Sequence, residues 1–185
     1  MAVREILTFP NPLLHRRAEP VAQVDGDIRA LMDDMLETMY HAQGIGLAAV
    51  QVGVHLRIAV MDLAREGEPP QPRYFVNPRL SGFSEDLNTY QEGCLSVPNP
   101  RPSEDNPGIS IYEPVQRPAR CRVDFLDYDG APQRLDCDGL LATCIQHEVD
   151  HLDGILFLQR LSRLKQSMLE RRLRKAHARA ARAPA

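Results

Sequence analysis

The stretch from Asp138 to Gly154 constrains the fold more than any other part of this chain. Asp138 is a helix-capping residue type and Gly154 a helix stop. Between them Leu140, Leu141, Cys144, Ile145, Val149 and Leu152 recur at helical spacing, which predicts a helix with a face to be buried. The same stretch carries His147-Glu148-Val149-Asp150-His151. Positions i and i+4 share a helix face, so both imidazoles can reach one metal ion. Glu148 stands about 100° around from His147, beside the ion and free to take a proton from bound water.

Two histidines do not complete a catalytic site, which needs a third protein ligand and one open position for water. The candidates are Cys94, Asp150, Asp153 and the other cysteines, Cys121, Cys137 and Cys144. Asp153 lies two residues past His151 on a different face, and Cys144, one turn before His147, reads as a small buried hydrophobe. Cys94 is set in Gln91-Glu92-Gly93-Cys94-Leu95-Ser96, where a glycine lets backbone approach closely and a turn would aim the next amide inward. Spacing alone does not choose among them. The segment Gly44-Ile45-Gly46-Leu47-Ala48-Ala49-Val50-Gln51 fits a helix stop as well as a site, with the Gln51 carboxamide able to donate a hydrogen bond.

The remaining chain reads as α+β. Residues 25–42 form an amphipathic helix through Ile28, Leu31, Met32, Met35, Leu36 and Met39, capped by Asp25 or Asp27. Leu56–Leu63, Tyr74–Leu80 and Cys121–Tyr128 are strand-like, and Asp129-Gly130 turns the last into a strand near Gln133–Cys137. A third helix begins near Ser162, spans about 162–178, and uses Leu164, Met168, Leu169 and Leu173 as its apolar stripe. Pro98–Pro118 holds six of the 15 prolines and reads as a long surface loop. The length of 185 residues suits one domain, and no repeat or linker divides it.

The first residues lack the apolar stretch of a secretory signal and no run is long enough for a membrane span, so a cytoplasmic protein with reduced thiols is expected. The net charge of −3 is uneven. From Arg160 onward there are nine Lys/Arg against Glu170 alone, while the preceding chain holds the larger acidic share. A basic tail on an acidic body can meet an anionic partner such as RNA, or simply be a solvated helix face.

The segments GIGLAAVQ, EGCLS and HEVDHLDG, in that order and spacing, resemble the three signature motifs of the peptide deformylases. The similarity runs along nearly the whole chain, from the Leu7-to-Pro20 opening to the basic C-terminal helix. The resemblance implies antiparallel sheets around a central metal-binding helix, with helices at both ends. It implies removal of the formyl group from N-terminal formyl-methionine of newly synthesised proteins. It assigns the metal to Cys94, His147 and His151, the general base to Glu148, and oxyanion donation to Gln51 and the Leu95 N–H. Fe(II) is the expected ion, with Ni(II), Co(II) or Zn(II) able to substitute.

Substrate contacts on this reading come from Ile45, Gly46 and Gly93 for the peptide backbone, from Tyr90, Leu140, Thr143 and Cys144 for the methionine slot, and from Arg101. Partners are N-formylmethionyl nascent peptides and, through the C-terminal helix, the ribosome near its exit tunnel, with no membrane and a monomeric protein. The sequence departs from the family pattern in three places. Gln43 stands where many members carry a glutamate paired with an arginine matching Arg101, Thr143 is more polar than expected, and the loop after Cys94 is about ten residues longer than in the shorter bacterial members. Two other functions stay open on residues alone. One is a small zinc peptidase, which needs a third ligand downstream, where only Asp153 and His177 stand. The other is a ribosome- or RNA-binding protein with a structural metal, which calls for four protein ligands.

Overall fold

The computed structural model describes residues 2–65, 67–99 and 110–180. Its architecture is α+β. Helix α1 spans Gly26–His41, and the Asp25 carboxylate accepts the Ile28 N–H at 3.0 Å as its N-terminal cap. Strands β1 (Gly46–Ala48), β2 (Ile58–Met61), β3 (Arg73–Ser81), β6 (Arg120–Leu126) and β7 (Pro132–Asp138) form one antiparallel sheet in the order β1-β2-β3-β6-β7. Strands β4 (Leu87–Glu92) and β5 (Glu113–Pro118) pair as a separate ribbon, and α2 (Gly139–Leu152) and α3 (Arg163–Ala180) complete the elements.

The period of two along β2 explains why the sheet is covered on both faces. Ile58 and Val60 pack with Met32, Met35 and Met39 of α1. Ala59 and Met61 turn the other way and pack with Ala142, Ile145 and Val149 of α2. All four β2 residues are buried, as a short continuous apolar run between two helical layers should be. Each buried methionine contributes about 1.5–3 kcal/mol of transfer free energy. Helix α2 is thereby pinned at the centre, with the β4–β5 ribbon tied to it by the Gln146 carboxamide donating to the Pro118 carbonyl at 3.0 Å.

Several expected elements differ in detail. Asp138 occupies the N-cap position of α2 in an extended conformation, but its carboxylate makes no cap hydrogen bond. The GIGLAAVQ segment is strand β1 followed by a 3-10 turn over Ala49–Val52, so it is an edge of the sheet and more than a helix stop. Part of the expected proline-rich loop is strand β5, whose Pro114 and Pro118 are tolerated because the ribbon has only two strands and every strand in it is an edge. The centre of that loop, with Arg101, lies outside the described residues.

The stripe of α3 is narrower than its sequence suggests. Leu169 and Leu173 are buried in a cluster with Phe9, Cys94, Val97, Ile111, Val115 and Phe157. Leu164 and Met168 instead are 73% and 64% exposed. A Leu173→Ala substitution is therefore expected to cost about 2–5 kcal/mol in urea unfolding, while Leu164→Ala stays within about 0.5 kcal/mol of the parent. Equal effects of the two would contradict this placement.

Candidate metal centre

Helix α2 and the turn after β4 bring three candidate ligands together, one thiol and two imidazoles. Cys94 Sγ lies 3.2 Å from His151 Nε2, and one donor atom each from Cys94, His147 and His151 falls within 4.8 Å of the others. Metal–sulfur and metal–nitrogen bonds of about 2.3 and 2.1 Å at a tetrahedral angle place such donors about 3.6 Å apart, so the set fits one ion. The two rings stand 4.9 Å apart and nearly perpendicular, as residues four apart on one helix face can. A turn sets the cysteine: the Cys94 carbonyl accepts the Val97 N–H at 2.9 Å. Thiolate plus two imidazoles suits a borderline divalent cation.

The orientation of His147 is set from behind. Its Nδ1 is 2.9 Å from Glu92 Oε2, which fixes the tautomer with Nε2 turned to the shared centre. Glu92 is held in turn by the buried Arg117, whose Nε and Nη2 donate to its two oxygens at 2.6 and 3.0 Å. The third arm of Arg117 reaches Asp150 at 2.7 Å, and Arg160 clamps the same carboxylate from outside. Burial alone would raise the Glu92 pKa, but His147 and Arg117 outweigh it and hold the carboxyl below its usual range. Burial would likewise lower His147, yet the hydrogen bonds its ring donates to Cys94 and Glu92 raise it to about 10. Burial, with the neighbouring His147 and Arg117 charges, keeps His151 far below the usual imidazole range. Protons and a cation thus compete for the same donors.

Glu148 faces the same space. Burial pushes its pKa up to about 7, against the opposing pull of His147 and Arg117. Its Oε2 has no hydrogen-bond partner among the described residues, and its Oε1 rests against Gly46, where any Cβ would meet it at 2.4 Å. The glycine in β1 is therefore required by close approach of the carboxylate. Gln51 is held at both ends: its Oε1 accepts the Ala48 N–H at 2.8 Å, and its Nε2 donates to Ser96 Oγ at 3.1 Å and points to Cys94 Sγ at 3.6 Å.

A cavity of about 190 Å³ opens beside these groups. Ile45, Gly46, Gln51, Tyr90, Gly93, Cys94 and Leu95 line it from the sheet side, and Leu140, Thr143, Cys144, His147 and Glu148 from α2. Every proposed contact residue except Arg101 is brought there. Asp150 and Asp153, weighed as ligands, are elsewhere: Asp150 is the counter-ion of Arg117 and Arg160, and Asp153 pairs with Arg57 at 2.7 Å. Cys121 and Cys137 lie on β6 and β7, in the core beneath the sheet. A larger cavity of about 530 Å³ on the other face of α2 holds no His/Cys cluster, so size alone does not mark the site.

Sequence reasoning missed Glu92, Arg117 and Asp150 as a unit, and it missed Tyr112. The Tyr112 ring lies over Gly93, where a Cβ would come within 2.6 Å of it, and forms part of the cavity wall. Glu92 is the first residue of the EGCLS segment, but nothing in its spacing points to Arg117, which reaches it only because β4 and β5 pair.

A helix-borne His-Glu-x-x-His joined by a thiolate from a distant turn, over a small cavity, defines a metal-dependent hydrolase. The chain belongs to the polypeptide deformylase family, whose profile matches residues 3–167. Peptide deformylases of Phenylobacterium zucineum and Hyphomonas neptunium are 54% and 55% identical to it, each alignment covering 98% of this chain and 100% and 98% of the relative. The crystal structure of peptide deformylase from Ehrlichia chaffeensis superposes with a TM-score of 0.85 at 38% identity, covering 97% of this chain and 99% of that one. The same enzyme in complex with actinonin gives 0.83 at 41% identity, over 95% and 98% of the two chains. The protein is accordingly a metal-binding hydrolase of protein biosynthesis that deformylates nascent peptides. Among the described residues no helix is long and apolar enough to cross a membrane.

Replacing Glu92 by Gln is expected to weaken metal binding about 10–100-fold by titration against a competing chelator. Arg117→Met, which leaves the buried Glu92 with only His147 and Asp150 with only Arg160, should cost about 3–5 kcal/mol in unfolding. Parent-like affinity and stability in both variants would remove this network from the site's support.

Proposed function

We propose that this chain hydrolyses the formyl group of N-terminal formyl-methionine with Cys94, His147 and His151 as the protein ligands of one divalent ion. One observation carries the assignment of roles: the Cys94 sulfur stands 3.2 Å from His151 Nε2, at the wall of a cavity that Glu148 and Gln51 also face. When bound there with one position open, the cation acidifies a water molecule and polarises the formyl oxygen. Fe(II) is the proposed cellular ion, on the strength of the family resemblance, with Ni(II), Co(II) or Zn(II) as substitutes.

Glu148 serves as the proton carrier. Buried beside the ligands, with no hydrogen-bond partner on Oε2 among the described residues, it stands where it would accept a proton from the attacking water and return it to the departing amine. Gln51, fixed by Ala48 and Ser96, aims its amide at the place where the formyl oxygen gains charge. The Leu95 N–H, next along the turn from Cys94, is the second donor proposed for the same oxygen on the strength of the family resemblance, and Leu95 lines the cavity. Each such donor contributes about 3–4 kcal/mol to lowering the barrier.

The peptide backbone is read along the free side of β1, which among the described residues pairs only with β2, with Ile45 and Gly46 lining the same cavity as Gly93. Tyr90, Leu140, Thr143 and Cys144 form the methionine slot. The Thr143 hydroxyl already donates to the Gly139 carbonyl at 3.2 Å, so its polarity is satisfied within the helix. Arg101 is kept as a proposed substrate contact from the resemblance. The zinc-peptidase reading loses both downstream candidates, because Asp153 is engaged by Arg57 and Arg17 and His177 lies exposed on α3, outside the Cys94, His147 and His151 group.

The cytoplasm is the proposed compartment and the ribosome exit region the proposed docking place, through the exposed cations of α3. Because Leu169 and Leu173 anchor that helix, charge reversal tests this more cleanly than truncation. Replacing Arg171, Arg172 and Lys175 by Glu should weaken ribosome co-sedimentation at low salt and spare turnover of short peptides; unchanged or salt-insensitive binding would refute it. For the chemistry, Glu148→Ala should retain the ion and lose about 10²–10⁴-fold in kcat on formyl-Met-Ala-Ser. Gln51→Leu should lose about 10²–10³-fold with little change in metal content. Near-normal turnover in either variant takes that residue out of its role, and no amine release by the anaerobically prepared parent would remove the function.

A further inference from the structure

Two thiols that the hydrolytic site does not use face each other across the main sheet. Cys121 on β6 and Cys137 on β7 are direct partners in the antiparallel register, flanked by the pairs Arg120↔Asp138 and Arg122↔Asp136. Direct partners in such a ladder project to the same face with Cα atoms about 4.5–5.5 Å apart, inside the about 4.4–6.8 Å that a disulfide spans. Both side chains are 2–3% exposed and share one cluster with Val123, Phe75, Ala142 and Ile145 under α2. Neither is bonded to another cysteine.

We propose that Cys121 and Cys137 form a reversible modification site, a dithiol that hydrogen peroxide closes to an intramolecular disulfide. The two sulfurs already interact: the Cys137 thiol hydrogen-bonds Cys121 and lowers its pKa, while that contact and burial raise Cys137. The register places the two sulfurs symmetrically, so either can attack first, and the chemistry is the same with Cys121 attacking and Cys137 resolving. The Cys121 thiolate attacks one peroxide oxygen, an S–O bond forms as the O–O bond breaks, and hydroxide leaves to become water. The Cys137 sulfur then attacks Cys121 Sγ, the S–S bond forms, and the S–O oxygen departs as a second water carrying the Cys137 proton. Two thiols and one peroxide give one disulfide and two waters.

The position gives the bond a consequence. Strand β7 ends at Asp138, and α2 begins at the next residue, so the bridge would tie the strand that leads into the ligand-bearing helix to its neighbour. Cys144, in the same cluster, is a poor competitor because burial, with the Glu148 charge, raises its thiol. The state of this pair is separable from metal chemistry, since Cys94 is committed elsewhere.

The test uses the full chain loaded with redox-inert Zn(II), treated with hydrogen peroxide, unfolded in a blocking reagent and mapped by mass spectrometry without reduction. The expected result is a drop from the four free thiols to two, a linked peptide joining residues 121 and 137, and full recovery with a dithiol reductant. The oxidised protein should also melt at a higher temperature than the reduced one, a shift absent in Cys137→Ser and Cys121→Ser. Four thiols remaining after peroxide, or a bridge joining any other pair, would overturn the proposal, whatever the deformylation assays give.

Discussion

The site depends on a buried ionic chain beneath α2, running from His147 through Glu92 and Arg117 to Asp150. Burying these charges is costly unless each is paired and its remaining hydrogen bonds are made. Here both Glu92 oxygens receive Arg117, one also meets His147, and both Asp150 oxygens are met by Arg117 or Arg160. The chain orients one imidazole, locks its tautomer and joins the β4–β5 ribbon to the helix. Ligand geometry and fold stability therefore rest on the same few contacts.

The helix serves two masters with little conflict. Its Ala142, Ile145 and Val149 pack on the sheet, while His147 and Glu148 line the cavity and His151 meets Cys94 and His147 at its wall. The turn at Cys94 is backed by another hydrophobic cluster, to which α3 contributes Leu169 and Leu173. The C-terminal helix is thus part of what holds Cys94 in place, and its cations project from a helix that is structurally engaged.

What could be read from the sequence was local. Helices α1 and α2 were legible because Met32, Met35 and Met39, and then Ile145, Val149 and Leu152, repeat at helical period. The histidine pair was legible because i, i+4 geometry is fixed by the helix itself. Cys94 could be singled out only by resemblance, since a thiolate 53 residues before its partner histidine has no periodic link to it. Strand β4 escaped because Leu-Asn-Thr-Tyr-Gln-Glu shows no apolar alternation, and β5 because its prolines read as loop. Arg117 escaped for the same reason: its role exists only once those two strands pair. Leu164 and Met168 were placed in a stripe that the tertiary packing does not use.

X-ray absorption at the metal edge of the loaded enzyme tests the central claim most directly, because it counts the atoms bonded to the ion. The account predicts one sulfur at about 2.3 Å with two imidazole nitrogens and one lighter donor near 2.0–2.2 Å. A first shell of nitrogen and oxygen with no sulfur would contradict it.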